Sequence, residues 1–434
     1  MIRHILFYLL ALSMFCSCHE SSSAPGVPDE DEVLPDEPVA EVRRTVLIYC
    51  AAQNSLGYSS RYYQSNWTAD SLELVAGKHF VSADDRLLVF VDDAYHPRLY
   101  RFSAEADPEL ILQWGYDANS SNPETLKDVL LRVKERFPAQ EYGLTMWSHA
   151  DGWIPSSNTN YSTAMPLSFG IDVGEGGNMY NDQTAGGKEV GAQMNIDSMA
   201  EAIKQAGMHF EYIFFDACLM QCVEVGYELR DVTDYIVASP ISIASAGAYY
   251  THMLERGLFS NNPCDLAQTY YEDVTSEELV KDYDGFGIVI SVLKTSELPA
   301  LAKVVGEALK DVDFATYPDL SGAHAYNVYT YTYYYRPHYY DMRSALRTLL
   351  SDEAFASIDA VLSRAIVFYA ATHKYWVGPS LSAYNNIDAL ACCGLSMFFP
   401  QKAYADNASR CIYGNHNQTY TSTAWARAIG KGVE

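Results

Sequence analysis

The sequence predicts an α/β protein in which a mostly parallel sheet is flanked by helices on both faces. Short, continuously apolar segments alternate with segments of helical periodicity. Continuous apolar runs are typical of strands that are buried on both faces. The 434 residues are 49% hydrophobic, which allows a large core. In sheets of this kind, ligand sites lie beyond the carboxyl ends of the strands.

Five apolar segments are predicted to be strands of this sheet, and three segments between them to be helices. The strands are residues 45–52, 86–93, 142–147, 212–215 and 235–239. The helices are 122–137, 196–207, which ends with Gly207 as its C-cap, and 219–229. Residues 287–293 and 394–399 are predicted as later strands, and 296–311 and 354–372 as later helices. Residues 154–195 are rich in Gly, Asn, Ser and Thr and are predicted to be one long loop.

The N-terminus carries the features of a bacterial export signal. Residues 1–17 are predicted to be a lipoprotein signal peptide, because an apolar run too short to span a bilayer follows a basic start. Ser17 precedes Cys18 as in a lipobox, so Cys18 is the expected lipidation site; an ordinary cleaved signal peptide is the alternative. Residues 18–42 are rich in Ser, Pro and acids and are predicted to be a flexible tether. We therefore expect a protein of the bacterial cell envelope, lipid-anchored or secreted.

The remaining chain is predicted to comprise a first α/β domain, residues 43–260, and a C-terminal α/β region, residues 261–434. The C-terminal region either packs on the first domain or completes it.

Charge and cysteine usage exclude several classes of function. The chain has 29 basic and 55 acidic residues. This balance disfavours nucleic acid, whose binding depends on cationic contacts to phosphate. The acidity mainly indicates solubility, and a cationic substrate is a second interpretation. The cysteines have neither C-x-x-C spacing nor the histidine spacing of a zinc site, so no structural metal is predicted.

Two residues with nucleophile and base chemistry follow neighbouring predicted strands. His149 comes directly after the third strand and Cys218 after the fourth. Adjacent strands lie about 5 Å apart, so the two side chains could face one substrate. A thiolate is the reactive form of cysteine, and an imidazole can produce it. Cys218 also begins the predicted helix 219–229, whose N-terminus would favour a thiolate. A buried core cysteine and a surface histidine are the alternative interpretations.

Several motifs together resemble the clostripain family of cysteine peptidases, whose caspase-like fold also occurs in gingipains and legumain. The motifs are NSL at 54–56, WSH at 147–149 followed by GW at 152–153, FDACLM at 215–220, ASP at 238–240, GLSMFFP at 394–400, and residues 420–425. The resemblance implies that Cys218 is the nucleophile and His149 the general acid and base. It also implies that the backbone N–H groups of Cys218 and Ala150 hold the oxyanion, although the family usually has Gly at the position of Ala150.

The resemblance also extends to specificity and activation. It implies that Asp216 binds the side chain of an Arg or Lys before the scissile bond. The alternative is that Asp216 orders the turn after the strand. The segment 241–250, which contributes to the family's pocket, contains no acid here. Family members are often cut between the histidine and the cysteine, and Lys188 is the candidate processing site; otherwise the enzyme stays single-chain.

Two further segments have alternative interpretations. Asp172, Glu175 and Asp182 could bind calcium, which clostripain needs, or could be solvated loop acids. No cofactor is otherwise required by the sequence. The tyrosine-rich residues 326–340 could line a groove for peptide or glycan or could pack internally.

The sequence therefore predicts a cysteine endopeptidase that cleaves protein or peptide substrates. The alternative is a catalytically silent, envelope-anchored binding protein with the same fold. A non-proteolytic hydrolase is disfavoured because neither a G-x-S-x-G nor an H-E-x-x-H motif is present.

Overall fold

A computed structural model describes residues 38–62, 64–154, 168–181, 191–279, 285–326, 328–329, 336–377, 384–406 and 416–433. Cys18, Asp182, Lys188 and much of the tyrosine-rich segment lie outside these ranges. None of the helices in the described ranges is long and apolar enough to cross a membrane.

The described chain contains one large sheet, several two-stranded sheets and helices on both sides. The strands are β1 (Val42–Ala51), β2 (Asp85–Asp92), β3 (Arg98–Phe102), β4 (Glu109–Gln113), β5 (Ala139–Trp147), β6 (Phe169–Asp172), β7 (Ala192–Met194), β8 (Phe210–Asp216), β9 (Thr233–Ala238), β10 (Val289–Lys294), β11 (Val328–Tyr329), β12 (Arg336–Pro337), β13 (Tyr340–Asp341), β14 (Ile366–Ala371), β15 (Lys374–Trp376), β16 (Tyr384–Asn386) and β17 (Ser396–Met397).

The helices are α1 (Asn66–Gly77), α2 (Pro123–Arg136), α3 (Ile196–Ala206), α4 (Val223–Leu229), α5 (Tyr250–His252), α6 (Cys264–Thr275), α7 (Leu298–Leu309), α8 (Met342–Leu349), α9 (Asp352–Ala365), α10 (Lys402–Asp406), α11 (His416–Thr421) and α12 (Ala424–Ala428).

The large sheet has nine strands in the order β14-β10-β9-β8-β5-β1-β2-β3-β4. The five central strands, β9, β8, β5, β1 and β2, are parallel to one another. Antiparallel strands extend the sheet on both sides, β3 and β4 beyond β2, and β10 and β14 beyond β9. The predicted parallel sheet with flanking helices is confirmed.

Both faces of the sheet are covered, which explains the continuous apolar runs. Along β1, Leu47 and Tyr49 point into one hydrophobic cluster, and Val46 and Ile48 point into the other. The first cluster includes buried residues of α2, α3, α4, α7 and α9, and the second those of α1 and α6. A strand that is covered by apolar layers on both faces has no solvent-facing side, so apolar and polar residues do not alternate along it.

Local signals define the ends of two predicted helices correctly. Pro123 lies in the first turn of α2, and the Asn122 side chain accepts a hydrogen bond from the N–H of Glu124. The C-cap of α3 is Gly207, whose φ is 62° in the left-handed region. Buried residues of α2 and α3 belong to the same hydrophobic cluster, on one face of the sheet.

Two predicted elements are wrong in detail. The predicted helix 354–372 is divided into α9 and β14, because residues 366–371 pair antiparallel with β10. Ile, Val, Phe and Tyr in this run favour a strand where a partner is available. The predicted loop 154–195 contains β6 and β7, which pair antiparallel with each other.

The C-terminal half of the chain contributes to the large sheet. β10 and β14 both lie beyond residue 260, yet they pair with β9 and with each other. Cys222 and Ser396 also form an isolated parallel bridge. The boundary proposed at residue 260 stays a prediction.

Candidate active site

The predicted catalytic residues follow two adjacent strands in matching register. β5 and β8 are parallel, and Trp147 pairs with Asp216 at their carboxyl ends. His149 and Cys218 each lie two residues beyond this pair. Parallel neighbours are about 5 Å apart, so the two residues leave the sheet at the same level and side by side.

The chain after His149 is held by β6. The N–H of Gly170 donates to the carbonyl of His149 at 2.8 Å, and the N–H of Asp151 donates to the carbonyl of Ser168 at 2.8 Å. These two bonds form an antiparallel bridge between Ala150 and Phe169. The histidine loop is therefore fixed by part of the segment that the sequence indicated only as a loop.

The turn after β1 contacts the histidine directly. The buried Asn54 side chain donates to the carbonyls of Ala51 (2.8 Å) and Ile171 (2.9 Å) and to Ser148 Oγ (3.3 Å). Ser55 follows it, and its Oγ lies 2.9 Å from His149 Nε2. In the sequence, Asn54 and Ser55 are recognisable only as part of the NSL motif. The contact of Ser55 with His149 could not be predicted, because it depends on the three-dimensional arrangement of β1 and β5.

Cys218 lies in a turn and not at the start of a helix. The helix predicted from residue 219 begins at Val223. Leu219 has φ 64°, a left-handed conformation that costs a residue with a side chain about 1–2 kcal/mol. The N–H groups of Leu219 and Gln221 donate to the carbonyls of Ile241 and Ser239 (3.0 and 3.1 Å), so this stretch bonds to segment 239–241 and not within a helix.

The cysteine and histidine loops touch each other. Gly152 has φ 68°, and a Cβ built on it would lie 2.8 Å from the carbonyl oxygen of Leu219. The hydroxyl of the buried Tyr339 donates to the backbone carbonyl of Asp151. The two loops are thus packed at backbone contact distance, and a residue of the C-terminal region holds one of them.

The Cys218 thiol is neutral in the free protein. Burial raises its pKa to about 11, and the negative charges of Asp151 and Asp216 raise it further. The sulfur is 4.0 Å from the carbonyl oxygen of Ile243. A thiol with this pKa has to lose its proton to a base before or during attack.

Two backbone N–H groups at the site carry no hydrogen-bond acceptor within the described ranges. They belong to Ala150 and Cys218. In the bridge with Phe169, the bonds run through His149 and Asp151, so the Ala150 N–H points away from β6. Unused donors beside a nucleophile have the chemistry of an oxyanion hole.

Asp216 lies at the end of β8 with its carboxylate engaged inside the protein. The Ala248 N–H donates to Oδ1 and Oδ2 at 3.2 and 3.1 Å, and the Tyr250 hydroxyl donates to Oδ2 at 3.0 Å. Burial raises its pKa to about 6, and these two donors lower it. Only 4% of the residue is exposed. The carboxylate binds segment 247–250 and has no hydrogen bond to the turn after β8 in the described residues, and its role toward a substrate stays a prediction.

Two of the three predicted calcium ligands, Asp172 and Glu175, lie in the described residues. Asp172 is buried, and its Oδ2 accepts from the Ser120 N–H at 2.7 Å. Glu175 is exposed on a neighbouring turn. The described ranges contain no group of three or more His, Cys, Asp or Glu side chains that could hold a metal ion.

The comparison with protein families decides the assignment. The model of the clostripain family matches residues 48–425. The chain belongs to the clostripain family. The resemblance noted from the motifs is therefore confirmed, and the membership supports a cysteine peptidase that hydrolyses peptide bonds.

Individual relatives agree with this family assignment. The curated clostripain of Hathewaya histolytica is 26% identical over 249 residues, which cover 51% of this chain and 44% of that protein. A secreted C11 cysteine protease from Bacteroides thetaiotaomicron, solved with an irreversible peptide inhibitor, is 26% identical, covers 89% of this chain and 98% of its own, and has a TM-score of 0.69. An inactive zymogen C11 protease from Parabacteroides distasonis is 25% identical, covers 90% and 99%, and has a TM-score of 0.70. The caspase-like fold is confirmed.

Proposed function

We propose that this protein is a cysteine endopeptidase in which Cys218 is the nucleophile and His149 the general acid and base. The observation that carries the proposal is the parallel register of β5 and β8, which pairs Trp147 with Asp216 two residues before each catalytic candidate. The contact between Gly152 and Leu219 supports the same arrangement from the loops.

The neutral thiol defines how the reaction would begin. Because the pKa of Cys218 is raised to about 11, only a very small fraction is thiolate at neutral pH. His149 therefore takes the thiol proton as sulfur attacks the carbonyl carbon. It then gives that proton to the leaving amine as the C–N bond breaks, leaving a thioester. Water attacks the thioester with His149 as base, which releases the acid and restores the thiol.

The N–H groups of Ala150 and Cys218 would stabilise the oxyanion in both steps. Neither has an acceptor in the described part of the chain, so neither has to break a bond to donate. A preorganised backbone donor is worth about 2.7–4 kcal/mol to such a transition state. Ala150 supplies this N–H without glycine, since the β-bridge with Phe169 is a conformation that suits a Cβ.

Substitution of both catalytic candidates tests the proposal. We expect Cys218→Ala and His149→Ala to lose cleavage of fluorescently quenched casein by more than about 100-fold. A peptidyl acyloxymethyl ketone should label the wild type and not Cys218→Ala. Cys264→Ala, which removes a partly exposed thiol on α6, is the matched control and should retain both activities. Full cleavage by Cys218→Ala would refute the proposal.

Cleavage after Arg or Lys is the finer part of the proposal and depends on Asp216. Its carboxylate is the nearest acid to Cys218 in sequence, but it already accepts from Ala248 and Tyr250. This part is tested with a peptide library in which the residue before the scissile bond is varied over all amino acids. If Asp216 binds the substrate cation, Asp216→Asn should reduce cleavage after Arg and Lys selectively. An equal loss for all peptides would assign Asp216 to the support of segment 247–250 alone.

The place of action is proposed to be the bacterial cell envelope. The predicted signal 1–17 and the lipidation site Cys18 support it, and the Bacteroides thetaiotaomicron relative is described as secreted. Membrane fractions should contain the wild type and lose the Cys18→Ser variant. Equal membrane association of the wild type and the Cys18→Ser variant would exclude a lipid anchor at Cys18.

Self-cleavage at Lys188 and calcium binding stay predictions. Lys188→Gln followed by mass analysis of the purified protein tests the first, and activity with and without a calcium chelator tests the second. The silent binding protein is not favoured, because the chain is a clostripain-family member that retains both His149 and Cys218.

A further inference from the structure

Ser55 contacts the catalytic histidine from a third strand of the sheet. It lies in the turn after β1, on the side of β5 opposite to β8. Its Oγ is 2.9 Å from His149 Nε2, within hydrogen-bond distance. Cys218 follows β8, the neighbour of β5 on its other side, so Ser55 and Cys218 follow strands on opposite sides of the one that His149 follows.

The turn that carries Ser55 is rigid. The fully buried Asn54 side chain donates to Ala51 O and Ile171 O and accepts from the Leu56 N–H at 3.0 Å. The backbone also closes on itself, because the Gly57 N–H donates to the Asn54 carbonyl at 3.1 Å. A serine fixed in this way has little freedom to leave the histidine, so the contact is a property of the fold.

We propose that Ser55 is a positioning residue that holds Nε2 of His149 and leaves Nδ1 to exchange the proton with Cys218 and the leaving amine. The inference rests on the proposed function. In the neutral imidazole, Nε2 keeps its hydrogen and donates it to Ser55 Oγ, so the lone pair is on Nδ1. When Nδ1 takes the thiol proton, Nε2–H still has its acceptor. When Nδ1 gives that proton to the amine, the starting tautomer returns.

A catalytic histidine is often oriented by a third group of this kind. A histidine that acts as base must present the correct tautomer at each turnover, and the partner of its other nitrogen selects that tautomer. A serine hydroxyl accepts without adding a buried negative charge beside Cys218, whose thiolate Asp151 and Asp216 already disfavour.

The experiment compares Ser55→Ala, Ser55→Thr and the control Ser59→Ala in the full chain. Ser59 is in the same turn region, but its hydroxyl accepts a hydrogen bond from the Ser65 N–H at 3.0 Å, away from the Ser55 contact with His149. For the best peptide of the library, we expect Ser55→Ala to lower kcat by about 10- to 100-fold with KM unchanged within about twofold. Ser55→Thr, which keeps the hydroxyl, should recover most of kcat, and Ser59→Ala should match the wild type.

Two further measurements separate positioning from folding and from failure of the proposed function. The thermal midpoint and the far-UV circular dichroism spectrum should be the same in Ser55→Ala and wild type if the fold is intact. If Ser55→Ala has the wild-type kcat and Cys218→Ala is inactive, the inference about Ser55 is overturned and the proposed function is not. Activity in Cys218→Ala would overturn the proposed function itself. A similar loss in Ser55→Thr and Ser55→Ala would also overturn the inference, because the hydroxyl would then have no part.

Discussion

Replacing Asp92 by asparagine should remove part of the pH dependence of stability. Asp92 and Asp172 are buried at the ends of β2 and β6 and hydrogen-bond to each other. The Ser120 N–H donates to one oxygen of each, at 3.2 and 2.7 Å. Burial, with the charge of Asp172 adding to it, raises the pKa of Asp92 far above its ordinary range. The folded protein therefore keeps a proton on this pair at neutral pH.

The sign and size of the effect follow from proton linkage. An unfolded aspartate has a pKa of about 3.9, so above that pH the unfolded chain binds one proton fewer than the folded protein at this site. The contribution of Asp92 to stability is complete below that pH. It decreases by about 1.4 kcal/mol per pH unit as pH rises toward the raised pKa of the folded state. An asparagine carries no such proton and can donate its N–H to the Asp172 carboxylate.

Denaturant unfolding at several pH values measures the difference. Between pH 5 and pH 7, the free energy of unfolding of Asp92→Asn should gain about 2.7 kcal/mol relative to wild type, two pH units at about 1.36 kcal/mol each. Asp311→Asn is the control, because it removes a carboxyl group that is exposed. It measures the effect of losing any one carboxyl group. Parallel curves for Asp92→Asn and wild type across this range would refute the shared proton.

Three other outcomes are expected. Gly247→Ala should lower the free energy of unfolding by about 1 kcal/mol or more, because φ is 62° and the new Cβ would lie 2.7 Å from Asp216 Oδ2; an unchanged denaturation midpoint would contradict this contact. Gly152→Ala should reduce kcat/KM at least about tenfold by separating the histidine loop from Leu219, while iodoacetamide still alkylates Cys218; wild-type kcat/KM would show that the loop accommodates the methyl group. In the free protein, the rate of alkylation of Cys218, followed by mass spectrometry, should rise through pH 9 without levelling, since its pKa is raised to about 11; a plateau below pH 8 would show a thiolate at rest.

The parallel centre of the sheet was accessible from the sequence because burial on both faces leaves a continuous apolar signal. The segments around Leu47, Leu88 and Ile213 are strands for that reason. The strands β3 and β4 give no such signal, since they are short and carry polar residues such as the half-buried Arg98 and the exposed Glu109. The switch from α9 to β14 was also hidden, because pairing with β10 is a tertiary effect that local periodicity does not report.

From the sequence, only the two central residues of the candidate site could be proposed. His149 and Cys218 stand out because each follows a strand and belongs to a family motif. The left-handed conformation of Leu219 in the turn before α4 accompanies backbone hydrogen bonds to segment 239–241. Nothing in the local sequence indicates this conformation. The contact of Ser55 with His149 depends equally on the neighbouring positions of β1 and β5.

The anchoring of the histidine loop by Tyr339 has a consequence for biosynthesis. The parallel centre of the sheet is complete by residue 238, but Tyr339 is synthesised about one hundred residues later. Chains emerge from the ribosome and cross a membrane with the N-terminus first. A partly synthesised chain therefore contains His149 and Cys218 before it contains the tyrosine that contacts the histidine loop. The histidine loop therefore gains this contact only when the C-terminal third of the chain has been added.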